Sequence, residues 1–110
     1  VTNQEYQAAI ESLMQGGLTE EQALANWALG IAGEAGEVVE LAKKHLFHGK
    51  DLPGERVLEE VGGVLWYCTA FLSQCGFNLE EAMRYNIRQL EERHGGLTFQ
   101  KSRGDFGKEK

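Results

Sequence analysis

A single proline, Pro53, interrupts the 110 residues of this chain. Proline inside a helix costs about 3 kcal/mol, so a chain that uses it once leaves room for long helices on both sides. Thr2 with Glu5 and Thr19 with Gln22 each fit a capping box, the pattern that opens a helix. The first predicts a short helix to about Met14, closed by Gly16-Gly17. The second predicts a helix to about Phe47, with Leu24, Ala28, Ile31, Ala35, Val38 and Ala42 recurring at helical spacing. His48-Gly49-Lys50-Asp51-Leu52-Pro53-Gly54 is a turn-rich connection. A third helix is expected from about Glu55 to Cys75, with a seam of Val57, Val61, Val64, Cys68 and Phe71, closed by Gly76. Asn78 with Glu81 caps a fourth helix, which reaches about His94 before Gly95-Gly96.

No stretch alternates as a strand would, and no repeat is present. The tail 97–110 lacks periodicity and is expected to be loose, or to dock through Phe99 or Phe106. The expectation is one all-α domain over 1–110, a four-helix bundle with short loops. So short a chain buries a modest share of its surface. Apolar seams on such helices therefore predict a homodimer or a homotetramer.

Charge narrows the class of partner. The formal net charge is −6, which argues against the basic face a nucleic acid needs. No apolar run approaches the ~18 residues of a membrane span, and no signal peptide is apparent. Cys68 and Cys75 are seven apart, about 10 Å along one helix, too far for a disulfide within it. Both are expected to be reduced core residues, which suggests a cytoplasmic setting.

Glu34-Ala35-Gly36-Glu37 carries the chemistry. Two carboxylates three apart are neighbours on a helix surface and repel by a few tenths of a kcal/mol. Their stripe reads Gly30, Glu34, Glu37, Leu41, Lys44. Gly30, Gly33 and Gly36 each cost about 1 kcal/mol relative to alanine, which makes sense if a helix or a ligand packs close. Glu60 follows on the third helix. Spacing alone leaves two readings: a solvent-facing acidic patch, or a cation held by Glu34, Glu37 and Glu60. All-oxygen ligands favour Mg²⁺ or Mn²⁺ over zinc. His45, His48 and His94 lack a zinc-ligand pattern, and no phosphate loop, dinucleotide motif or serine elbow occurs. Trp27, Trp66 and Tyr67 could stack on a base or fill the core.

The blocks LGIAGEAGEVVE (29–40), KKHLFHG (43–49) and EEVGGVLWY (59–67), with Asn86-Ile87 followed by Leu90 and Arg93, resemble the MazG-like nucleoside triphosphate pyrophosphohydrolases. The resemblance spans roughly 24–95. It implies an all-α fold working as a dimer or tetramer, and Mg²⁺-dependent hydrolysis of a nucleoside triphosphate to the monophosphate and pyrophosphate. It implies metal and catalytic roles for Glu34, Glu37 and Glu60. In the mechanism this suggests, Lys44, Asn86 and Arg88 would contact phosphates, and Trp27, Trp66 or Tyr67 would bound the base.

The chain departs from the family pattern where the last metal-binding aspartate falls on Gly63. The three readings that follow are activity with water or Glu59 in its place, reduced activity, or nucleotide binding without turnover. Gln89 also stands where a basic residue is common in the family, with Arg88 and Arg93 nearby.

Overall fold

A computed structural model describes residues 1–14 and 16–95. It contains four helices: α1 (Asn3–Leu13), α2 (Glu20–His48), α3 (Gly54–Gln74) and α4 (Leu79–His94). No strand occurs among the described residues. The expected tail, with Phe99 and Phe106, lies outside them.

Both capping boxes form. Thr2 Oγ1 accepts from the Glu5 N–H at 3.1 Å while the Thr2 N–H donates to Glu5 Oε1 at 2.8 Å. Thr19 and Gln22 repeat the exchange at 3.1 and 3.0 Å. Such caps satisfy donors that the first helical turn leaves free. Gly49 ends α2 in the left-handed region (φ 64°), its N–H bonded to the Lys44 carbonyl. Pro53 is the N-cap of α3, and Gly76 follows α3 with φ 84°. Glycine is favoured at both turns because it carries no β-carbon to clash.

Helices α2 and α3 lie antiparallel in a fixed register. The Tyr67 ring lies against Gly30, and the Glu34 carboxylate lies against Gly63. The Glu37 and Glu60 carboxylates meet one turn further on, with oxygens within 4.8 Å of each other. Each step of three or four along α2 is matched by an equal step backwards along α3. At the other end of the pair, Trp27 Nε1 donates to Gln74 Oε1 at 3.0 Å.

The core sits at that end. Ile10 from α1, Ala23 and Trp27 from α2 and Ala70 from α3 form one buried cluster, with Tyr6, Met14, Leu18, Trp66, Tyr67 and Phe71 packed around it. Polar bonds fix α1 there. Ser73 Oγ donates to Glu11 Oε2 at 2.7 Å, Gln7 Nε2 donates to the same oxygen at 3.0 Å, and the Leu79 N–H donates to Gln7 Oε1 at 2.9 Å.

Three sequence expectations need correction. Val61 was expected on the inward seam of α3 but is 50% exposed. The face that meets α2 is Glu60, Gly63, Tyr67, Ala70 and Gln74, which is too small and polar for hydropathy to mark. Cys75 is exposed rather than in the core, because it stands at the C-cap of α3. Cys68 is half-buried, and both thiols are free. On α2, Ala28 and Ala42 are also exposed.

The chain divides into two compact units, Val1–Leu79 and Glu80–Lys110. Within the second, Arg84 pairs with Glu80 at 2.9 Å. Acidic residues in the first turn of α4 and Arg93 and His94 in the last complement its dipole.

Candidate functional site

Beyond the core end, the α2–α3 pair brings carboxylates together. Glu34, Glu37 and Glu60 each offer an oxygen, and these oxygens lie within 4.8 Å of one another. The three-residue step from Glu34 to Glu37 puts both on the face that meets α3. Glu60 arrives opposite Glu37 because the helices run antiparallel in the register set by Gly30 and Tyr67.

Glu60 is 5% exposed. Its Oε2 is buried and makes no hydrogen bond. The nearest cation, Arg56 Nη2, is 3.8 Å from that oxygen, beyond hydrogen-bond reach. A buried acceptor left unpaired is costly, so this oxygen points to a ligand. The hydrogen bond shared with Glu37 does most to hold the Glu60 carboxyl above the usual carboxylate range. Desolvation and the negative charges of Glu37 and Glu34 push the same way, and Arg56 opposes them. Such a site is short of positive charge. Hard divalent cations take oxygen ligands of this kind, and the donor set fits one.

A groove of about 340 Å³ opens beside the cluster, lined by Glu37, Glu40, Leu41 and Lys44 of α2 and by Arg56 and Glu60 of α3. That volume lies within the range of small-molecule sites. Lys44, expected from the sequence, is on its wall. Arg56 was not anticipated. Its only sequence signal is the four-residue step to Glu60, a common helix-surface pairing. Glu59, considered as a replacement ligand, is exposed and pairs with Arg56 at 3.3 Å. It is not part of the carboxylate cluster.

The aromatic residues stand toward the core end. Trp27 is 2% exposed. Trp66 is half-buried, with ring centroids 5.8 Å from Trp27 and 5.0 Å from Tyr67. Asn86 and Arg88 are exposed on α4. Two apart on a helix, they point to different sides of it. The three histidines are exposed, and His45 Nδ1 lies 2.8 Å from the Lys50 carbonyl oxygen.

Fold and site together define an all-α domain whose two longest helices clasp an acidic cluster beside a groove with basic residues on its wall. Over residues 19–98 the chain matches the MazG nucleotide pyrophosphohydrolase domain, and it belongs to that family. No curated protein and no solved structure matches it. No helix among the described residues is long and apolar enough to cross a membrane.

Proposed function

We propose that this chain hydrolyses a nucleoside triphosphate to the nucleoside monophosphate and pyrophosphate, with Mg²⁺ or Mn²⁺ held by Glu34, Glu37 and Glu60. The observation that carries the reading is the buried, unpartnered Glu60 oxygen inside a three-carboxylate cluster, in a chain of the MazG family. Bound there, a divalent cation supplies neutralisation of triphosphate charge and polarisation of water. The chain's own residues do the rest. Lys44 draws the phosphates into the groove. Trp66 bounds the base, with Trp27 packed behind it. An oxygen of the carboxylate cluster accepts the proton of the attacking water as the bond from phosphorus to pyrophosphate breaks.

The reading extends to assembly. Leu29, Val39 and Leu46 on α2, and Leu58, Val61 and Leu65 on α3, are all exposed. Exposed apolar surface of this extent on a small domain supports a homodimer or homotetramer. The two free thiols suit the cytoplasm.

The test is pyrophosphate release from a panel of canonical and modified triphosphates with Mg²⁺, beside Glu60→Gln. Release by the native chain, abolished in the variant, is the expected result. A second reading, a nucleotide-binding domain without turnover, is favoured by Gly63, which offers no fourth carboxylate. Saturable nucleotide binding with no pyrophosphate from any substrate would establish it instead.

A further inference from the structure

We infer that Glu34 fills the space that a side chain at position 63 would occupy, so that Glu34, Glu37 and Glu60 form a complete cation-binding donor set. The inference rests on the cation reading above and concerns how this chain meets that need without an aspartate.

A β-carbon built on Gly63 would stand 2.7 Å from Glu34 Cδ and 3.2 Å from its Cγ, with Oε2 closer still. Contacts below about 3 Å between carbons are not tolerated, so the two cannot coexist unmoved. The neighbouring Gly62 meets nothing within 4 Å, so the close approach is specific to position 63 and is not a property of the glycine pair. Gly63 lies on the α3 face that meets α2, one turn from Glu60. The Glu34 carboxylate thus lies against bare α3 backbone, beside the buried and unpartnered Glu60 oxygen. Glu59, the nearest carboxylate in sequence to Glu60, does not compete for this position: it is turned to solvent and paired with Arg56.

The consequence reverses the simple expectation from the family pattern. An aspartate at 63 does not enter an empty ligand position. It must displace Glu34, and two like charges then contend for one space. Bulk alone, without any ligand atom, also disturbs the site, because a methyl group at 63 moves the Glu34 carboxylate away from α3.

Calorimetric titration of the full chain with Mn²⁺ alone tests this. Gly62→Ala is expected to bind as the native chain does. Gly63→Ala is expected to weaken binding about tenfold, the scale typical of disturbing a ligand's support. Gly63→Asp is expected to bind no tighter than native. Glu34→Ala is expected to lose about tenfold or more, and adding Gly63→Asp to it should recover most of that loss by supplying a carboxylate from α3 to the same space. Native-like binding by Gly63→Ala, or binding about tenfold tighter by Gly63→Asp, overturns the inference and leaves the cation reading intact. No saturable Mn²⁺ binding by the native chain overturns the cation reading, and the inference with it.

Discussion

Tyr67 lies against the backbone of Gly30, so closely that a β-carbon at position 30 would clash with its ring. This contact sets the approach and register of α2 and α3, and through them the meeting of Glu37 with Glu60. Alanine normally stabilises a helix interior relative to glycine by about 1 kcal/mol. Gly30→Ala should do the opposite, with a net loss of about 1–3 kcal/mol from overpacking. Gly33, in the same helix, meets nothing within 4 Å. Gly33→Ala should therefore gain up to about 1 kcal/mol. Urea unfolding of the two variants checks the contrast. Equal gains from both would show that the Tyr67 contact does not constrain α2.

Trp27 is buried in the cluster that joins α1, α2 and α3, and its indole N–H is bonded to Gln74. Trp27→Ala should cost about 3–5 kcal/mol through the cavity it leaves. Trp27→Phe keeps much of the volume but strands the Gln74 carbonyl, at about 1–3 kcal/mol. Trp66 is the more accessible ring. Trp66→Ala should raise KM for the triphosphate, whereas Trp27→Phe should act mainly on stability. The check is thermal unfolding measured beside KM. A raised KM with an unchanged Tm in Trp27→Phe would place Trp27 at the base instead.

The acidic stripe of α2 was legible in the sequence as a stripe but not as the face that meets α3, since the apolar seam ran through Ala28 and Ala42, which are exposed; the inward face of α3 was not legible at all, for a physical reason. On α2 the stripe Gly30, Glu34, Glu37, Leu41, Lys44 carries three signals at once: a small residue at the crossing, an acidic pair one turn apart, and a cation two turns from Glu37. On α3 the inward face mixes a carboxylate, a glycine and a tyrosine, so no apolar period marks it. Hydropathy instead selected a line through Val61, which is exposed. The helix starts were legible because Thr2 and Thr19 act locally, through bonds to residues three away. Arg56 escaped notice because its place in the groove depends on the pairing of two helices. The Glu34–Gly63 contact was hidden for the same reason: sequence shows that a carboxylate is absent at 63, but not which side chain takes the space.

Glu60 and Glu11 should bend the pH dependence of stability in opposite directions. Glu60 holds its proton more tightly folded than unfolded, because it shares a hydrogen bond with Glu37 and is desolvated. Its contribution is therefore present below the ordinary glutamate range and is lost as pH rises through the raised folded value. Glu11 is held low by hydrogen bonds from Gln7 and Ser73. Its contribution is present above the ordinary range and is lost as pH falls through the depressed value. In metal-free buffer, Glu60→Gln should be more stable than the native chain once pH is above the raised Glu60 range, and its stability should fall less as pH rises from the ordinary glutamate range. Added Mn²⁺ should raise the Tm of the native chain by mass action and leave that of Glu60→Gln unchanged. Parallel pH curves for the two proteins would show that Glu60 is charged and relaxed when no cation is present.

Lys44 and Arg56 both line the groove, but their charges are committed differently. Arg56 pairs with Glu59 at 3.3 Å and reaches within 3.8 Å of Glu60, where its charge favours the ionised carboxylate. Removing it should make Glu60 harder to ionise. Since a cation must displace the proton that Glu60 holds, Arg56→Ala should weaken Mn²⁺ binding more at pH 6 than at pH 8, an expectation about direction. Lys44 stands on the groove wall without a part in holding Glu60. Lys44→Ala should leave Mn²⁺ affinity unchanged at both pH values and raise KM for the triphosphate about tenfold, equivalent to about 1.4 kcal/mol. Mn²⁺ titration at two pH values, set beside triphosphate KM, separates the roles. If Lys44→Ala weakened Mn²⁺ binding as Arg56→Ala does, the groove would have no wall reserved for phosphate, and its basic residues would act only by balancing the carboxylates.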